Sequence, residues 1–178
     1  DLGEMGRNAR KALEERFDKE LGPNTRRWAY GQALPQTNSI RSLWARDVPP
    51  LEASVIRVIT PLVRRLVRMG YKITPENAQR SLERVRGVFR QVDELLSDRR
   101  RFLAGERFTA ADLTFAALAA PVLLPAECRA VQPALDDVPA AMRDEILRFR
   151  ETDAGRFALR MFTQERGYAV AARQSQAL

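Results

Sequence analysis

Apolar residues recur along most of this chain at the spacing of helices, and no segment shows the regular alternation of a strand. Over residues 8–21 the apolar residues lie four apart, as on one face of a helix, and Gly22-Pro23 then interrupts them. A second helical stretch continues to Leu34. Because proline is tolerated in the first turn of a helix, residues 1–34 are predicted to form one kinked helix or two abutting helices.

The middle of the chain predicts a loop and then two helices. Residues 35–50 have no periodicity and are interpreted as a loop. Residues 51–69 are strongly apolar, and we expect a kink at Thr60-Pro61 because proline removes a backbone donor. Thr74-Pro75 is typical of a helix start, and an amphipathic stripe follows it to about residue 96.

One predicted helix has almost no polar face. In the sequence FLAGERFTAADLTFAALAAPVLL a glycine turn leads into an apolar helix over about residues 109–124. We expect this helix to be buried on all sides and to lie at the centre of the fold. Thr109 and Asp112 have the spacing of a capping box, and Phe108 and Leu113 have the spacing of a hydrophobic staple.

Two shorter helices are predicted after the central one. Residues 140–149 form the first, with Asp137 as its cap, and Thr152-Asp153 caps the second. Residues 168–178 are rich in Ala, Gln and Ser and are expected to form a loose tail. The pattern therefore predicts a single all-α domain over residues 1–178.

The composition restricts the chemistry that this chain can carry. Its 178 residues include no histidine and one cysteine, Cys128. The commonest general base and metal ligand is therefore missing, and neither a metal site nor a catalytic residue is predicted. A lone cysteine cannot form an internal disulfide, and no apolar leader precedes the first helix, so we expect a soluble, cytoplasmic protein. Cys128 itself is interpreted as a packed, unreactive thiol.

The net charge of +7 permits two interpretations. Excess arginine can indicate contact with nucleic acid or with an anionic membrane. Here the arginines alternate with acids along several helices, which favours a solvated surface with ion pairs. The longest apolar run, 113–124, is also shorter than the roughly 20 residues that span a bilayer. We therefore expect no membrane partner, and binding of nucleic acid is the weakest of the hypotheses.

One cluster combines cations with large aromatic side chains. Arg27, Trp28 and Tyr30 lie within two turns of the second helical stretch and are the candidate residues for binding a small-molecule substrate. The competing interpretation places Trp28 in the core, Tyr30 in a packing position and the arginine at the surface, because aromatic residues at helical spacing usually pack inside.

Three segments carry a family resemblance. FLAGERFTAADLTFAA resembles the stretch that leads into the buried sixth helix of cytosolic glutathione S-transferases. KELGPNTRRWAYGQALP is similar to the kinked fourth helix of bacterial members of that family, and TDAGRFALRMF to a last-helix segment of some of them. The resemblance implies the all-helical C-terminal domain of a bacterial cytosolic glutathione S-transferase, and the chain begins about where that domain would begin.

The resemblance also implies how the work is divided between domains. Glutathione, the co-substrate, and the activation of its thiol belong to an N-terminal thioredoxin-like domain, which this chain does not contain. The helical domain would supply the pocket wall for a small hydrophobic electrophile, through Arg27, Trp28 and Tyr30, and part of a homodimer surface. No cofactor is expected in this chain, and the chain alone is expected to be inactive. The alternative is a non-catalytic, transferase-like helical module for protein–protein assembly.

Overall fold

The computed structural model describes residues 2–33 and 65–165 of the chain. All regular elements in these two ranges are helical, which confirms the predicted all-α class. The only strand-type pairing within them is an isolated bridge between Phe102 and Gly105. The predicted loop over residues 35–50, most of the helix over 51–69 and the tail over 168–178 lie outside the described residues.

The first helical stretch is continuous. Helix α1 (Leu2–Arg16) passes through a π-helical turn (Phe17–Leu21) into helix α2 (Gly22–Ala33). The wider turn accommodates the break that Gly22-Pro23 predicts, since the Gly22 N–H donates to the Phe17 carbonyl five residues back. The Asn24 side chain donates to the Glu20 carbonyl at 2.6 Å, so a carbonyl beside the irregular turn has a partner.

Helix α3 (Pro75–Leu96) begins where the sequence predicts. The Thr74 hydroxyl accepts a hydrogen bond from the Asn77 N–H at 3.2 Å, and Pro75 occupies the first helical position. Before it, residues 65–70 are helical, and Lys72 follows with a positive φ of 48°. The preceding helix therefore turns away at Lys72, two residues beyond Gly70.

Helix α4 (Ala110–Leu123) is the central helix, and its N-terminus is organised by Asp112. The Asp112 side chain is fully buried. One carboxylate oxygen accepts from the Leu103 N–H at 2.7 Å. The other accepts from the Thr109 N–H at 2.7 Å and from the Thr109 hydroxyl at 2.8 Å. The carboxylate thus links the helix start to the turn before it, in which Gly105 has a φ of 110° that favours glycine.

The prediction that α4 is buried on all sides is wrong for one side. Ala111, Phe115 and Ala119 are buried, but Leu113 is 58% exposed and Ala117 is also exposed. The remaining predicted staple residue, Phe108, is exposed as well, and its ring lies edge-on against Phe102 at 5.8 Å between centroids. Contact between Phe108 and Leu113 stays a prediction. The central helix therefore presents an apolar strip that the described residues do not cover.

The C-terminus of α4 is satisfied by an arginine from a later helix. Leu124 ends the helix in the left-handed conformation, with a φ of 45°. The Arg150 guanidinium donates to the Leu123 carbonyl at 2.8 Å and to the Leu124 carbonyl at 2.7 Å. Burial of this guanidinium lowers its pKa. In this arrangement a cation also lies at the negative end of the helix dipole, which is favourable.

Helices α5 (Ala140–Glu151) and α6 (Asp153–Arg160) complete the fold, followed by a π-helical turn (Met161–Glu165). The prediction that Asp137 caps α5 is wrong, because Pro139 occupies the cap position. A residue before proline is driven to extended conformations, and Val138 has a ψ of 158°, so the helix cannot begin earlier. Thr152 does cap α6, since its hydroxyl accepts from the Gly155 N–H at 2.9 Å.

Aromatic rings from three other elements contact Phe115 of α4. The centroid of the Phe115 ring lies 5.2 Å from that of Phe17, 5.5 Å from that of Phe89 and 6.2 Å from that of Phe157. Phe149 packs in turn on Phe89 at 4.6 Å. Tilted ring pairs of this kind contribute about 0.5–1.5 kcal/mol each beyond the burial of apolar area. The core is thus centred on α4.

Replacing Asp112 with alanine should strongly destabilise the fold. The loss of a cap removes about 1–2 kcal/mol, and leaving buried N–H groups unpaired removes about 1–3 kcal/mol more. Urea unfolding should therefore show a lower midpoint for Asp112→Ala. Asp136→Ala, at an exposed acid in a surface turn, should change stability by less than about 0.5 kcal/mol. An Asp112→Ala midpoint as high as that of Asp136→Ala would contradict the structural role of this carboxylate.

Candidate ligand surface on helix α2

The structure separates the three residues that the sequence groups as a candidate ligand surface. Trp28 is 2% exposed and belongs to the core, whereas Tyr30 is 39% exposed. Arg27 is half-buried between them. Because successive residues of a helix point in different directions, only Tyr30 and part of Arg27 remain accessible to a ligand from outside the described core.

Arg27 is held by its own helix and by two neighbouring segments. Its Nε donates to the Tyr71 carbonyl at 2.7 Å. Its Nη1 approaches the Ser81 hydroxyl at 3.2 Å and the Asn24 amide oxygen at 3.4 Å. These bonds tie α2 to the turn before α3 and to α3 itself. Arg27 therefore positions the end of α2, and this structural role does not require a ligand.

Tyr30 forms an aromatic pair with Tyr71. The ring centroids lie 5.3 Å apart at an interplanar angle of 69°, an edge-to-face contact. Since Tyr30 is partly exposed, the pair presents an aromatic surface near the end of α2, just before the residues that the structure does not describe. This surface suits an apolar or aromatic ligand. Substrate binding by Arg27, Trp28 and Tyr30 stays a prediction.

Sequence reasoning missed a groove at the opposite end of α2. This open depression of about 400 Å³ runs between the turn before α2 and helix α3, and it is lined by Lys19, Glu20, Asn24, Arg84, Gly87, Val88 and Gln91. The sequence signal for this groove was Gly87, a glycine in the middle of a helix. No heavy atom lies within 4 Å of the position that a Cβ at this residue would occupy. The missing side chain in the middle of a helix leaves the groove open. Glu20 is already paired with Arg16, at 3.3 Å.

The strongest charge network of the described residues is structural. Glu145 of α5 is buried and accepts from Arg86 of α3 at 2.8 Å and from Arg148 at 3.1 Å. Burial alone would lower the pKa of Arg86, but the hydrogen bonds and charges of Glu145 and Glu83 outweigh it and raise the pKa. The network joins α3 to α5, and no reacting group lies within it.

A second, partly buried contact joins α3 to the start of α6. An oxygen of Asp93 accepts from the Ala154 N–H at 2.7 Å. Burial raises the pKa of Asp93, while the Ala154 N–H opposes that shift. Because the carboxylate is occupied by the helix terminus, Asp93 has the role of a cap from a neighbouring helix.

The described residues offer little for catalysis. No three His, Cys, Asp or Glu side chains among them lie close enough together to hold a metal ion. Within the same ranges, no helix has both the length and the apolar character that a membrane span requires.

Comparison with known proteins gives one match. Residues 75–141 match the family model described as "Glutathione S-transferase, C-terminal domain". No curated protein and no solved structure matches the chain. The matched range begins at the first residue of α3, contains the whole of α4 and ends in the first turn of α5. It excludes α1 and α2, and with them Arg27, Trp28 and Tyr30.

The match contains the central apolar helix, its threonine–aspartate start and the glycine turn before it, which are the residues that carry the resemblance in the sequence. Residues 75–141 of this chain, built around α4, are part of a glutathione S-transferase C-terminal-like domain.

Proposed function

We propose that this domain is the electrophile-side half of a glutathione S-transferase-like protein. In this proposal an N-terminal thioredoxin-like domain binds glutathione and activates its thiol, and the helical domain holds the hydrophobic co-substrate. The family match supports the helical half. A role in a homodimer and a cytoplasmic location stay predictions.

The exposed apolar strip of α4 carries the proposal. A helix without a polar face is usually covered on all sides, yet Leu113 and Ala117 are exposed here. Apolar area that stays in water forgoes about 25 cal/mol per Å² of stabilisation. A second domain packed on this strip would recover it. The thioredoxin-like domain is the partner that the family implies, and we place its contact on this strip.

The environment of Tyr30 supports the co-substrate role. Its ring, packed edge-on against Tyr71, is the accessible aromatic group of the predicted pocket wall. Apolar ligands are usually held by such half-exposed aromatic residues in concave surfaces between domains. Arg27 fixes the turn that carries Tyr71 and so keeps the aromatic pair in place.

One observation favours the alternative, a non-catalytic module for protein–protein assembly. Trp28 is in the core and Arg27 is occupied by structural hydrogen bonds, which leaves Tyr30 as the main accessible residue of the predicted pocket wall. A catalytic protein and an assembly module both need the strip on α4 to be covered. They differ in whether a small hydrophobic electrophile binds beside Tyr30.

Replacing Leu113 with serine should remove the exposed strip without unfolding the domain. Binding of an apolar fluorescent dye to the 178-residue chain should fall, while the melting temperature should change little because Leu113 is 58% exposed. Val131→Ser is the matched control, because Val131 is 80% exposed and lies in a turn outside α4. Equal dye binding by the two variants, or a large loss of stability in Leu113→Ser alone, would contradict the strip.

The chain alone should neither bind glutathione nor accelerate its conjugation. An ordinary thiol has a pKa of about 8.5, so only a few per cent is thiolate near pH 7. Calorimetric titration of glutathione should show no saturable binding, and conjugation of an aromatic electrophile should stay at the uncatalysed rate. Weak binding of the electrophile itself, lost in Tyr30→Ala, would support the catalytic proposal. Absence of electrophile binding would favour the assembly module. Saturable binding of glutathione below about a millimolar, a typical upper KM, would contradict the assignment of glutathione binding to the N-terminal domain.

A further inference from the structure

Two arginines are stacked beside the same aromatic ring between α3 and α4. The guanidinium carbons of Arg101 and Arg160 lie 5.1 Å and 5.9 Å from the ring centroid of Phe102. Arg160 also lies 5.3 Å from the ring centroid of Phe157, and its Nη2 donates to the Arg101 carbonyl. Cation–π contacts thus hold two like charges near each other in defined positions.

These charges have no acidic partner among the described side chains. Arg99 and Arg107 flank the stacked pair along the chain and are exposed. We call the set Arg99, Arg101, Arg107 and Arg160 the arginine corner. No described carboxylate forms an ion pair with any of the four.

The neighbouring charges do not neutralise the arginine corner. Arg100 lies between its members but is neutralised by Asp98, at 2.7 Å, and this guanidinium lowers the pKa of Asp98 to about 2. Glu106 is the one acid in the sequence between Arg99 and Phe108. Excess positive charge therefore stays at this end of the fold, where like charges repel each other unless an anion binds.

The backbone at Arg99 adopts a conformation that arginine seldom occupies. Arg99 has a φ of 61°, in the left-handed region, just after the end of α3. Glycine or asparagine usually occupies such a position after a helix. A residue with a side chain is strained there, because its Cβ crowds the following carbonyl oxygen.

We propose that the arginine corner binds a small phosphate-bearing anion of the diphosphate type. Guanidinium groups match phosphate oxygens with pairs of parallel N–H donors, and a phosphate group has enough oxygens to engage several of them. The stacking of Arg101 and Arg160 on rings orders both side chains before a ligand arrives, which reduces the entropy lost on binding. This site is separate from the electrophile surface near Tyr30, and it does not rest on the proposed transferase function.

The first test titrates sodium pyrophosphate into the 178-residue chain at constant ionic strength. Saturable binding is expected, and the double variant Arg101→Gln, Arg107→Gln should weaken it by at least about tenfold, the loss expected for charge-assisted hydrogen bonds. Arg90→Gln, at an exposed arginine of α3 outside the corner, should leave the affinity unchanged.

The second test separates binding from stability. Arg99→Asn and Lys72→Asn both place a residue that tolerates positive φ at a left-handed position, since Lys72 has a φ of 48°. Both variants should melt at the same or a higher temperature than the native chain. Only Arg99→Asn should weaken pyrophosphate binding. This contrast cannot arise from a general loss of folded protein.

Three results would overturn the proposal. The first is an equal heat signal from sodium sulfate at matched ionic strength, which would indicate unspecific screening. The second is unchanged pyrophosphate affinity in the corner variants. The third is tight binding of a thymidine oligonucleotide at the corner that pyrophosphate does not displace, which would make the partner a nucleic acid.

Discussion

The burial of α4 imposes the constraint on which the rest of the fold depends. A helix has unpaired N–H groups at its start and unpaired carbonyls at its end, and burial without partners for them is costly. At the start, Asp112 accepts from the N–H of the cap residue Thr109, and it also accepts from the Leu103 N–H of the preceding turn. Arg150 supplies donors at the end, for the Leu123 and Leu124 carbonyls. The central helix can therefore be buried because a local carboxylate and a distant guanidinium satisfy its two ends.

The middle of α4 has a similar contact with the first helices. Pro121 lies inside the helix and lacks the N–H that would bond to the Ala117 carbonyl four residues back. Thr25 is fully buried, and its hydroxyl lies 2.8 Å from the Leu118 carbonyl and 3.1 Å from its own helix's Gly22 carbonyl. Since a hydroxyl has one proton, the shorter distance favours donation to α4. The same helix thus fixes the positions of α2, of α5 and of the turn before α4.

The sequence predicted those helix starts that depend on contacts between nearby residues. Thr74-Pro75 and Thr152 lie at the predicted caps, because a hydroxyl and an N–H three residues later suffice to specify them. Asp137 failed as a cap because Val138-Pro139 adopts the extended conformation that proline imposes on its predecessor. The bond between Arg150 and α4 could not be read from the sequence, since it joins residues 26 and 27 apart.

Surfaces were harder to predict than helices, because they also depend on contacts between residues that are distant in the sequence. An apolar pattern shows which residues would avoid water, but it does not show which of them the fold covers, and Leu113 stays 58% exposed. Trp28 and Tyr30 lie two residues apart, so a helix points them in different directions and only Tyr30 is accessible. The groove beside Gly87 depends on the packing of α2 on α3, which no single segment encodes. The arginine corner likewise forms only when Arg160 of α6 stacks beside Arg101.

Native-state hydrogen exchange of the α4 amides tests the central role of this helix most directly. If its two satisfied ends and its aromatic contacts make it the last element to open, its slowest amides exchange only through global unfolding. The free energy from their exchange should then equal the free energy of unfolding from urea titration. The amides of α6, held by Thr152 and Asp93 at one end, should exchange with a lower free energy. Exchange of α4 through local opening, at a lower free energy than that of α6, would contradict the account.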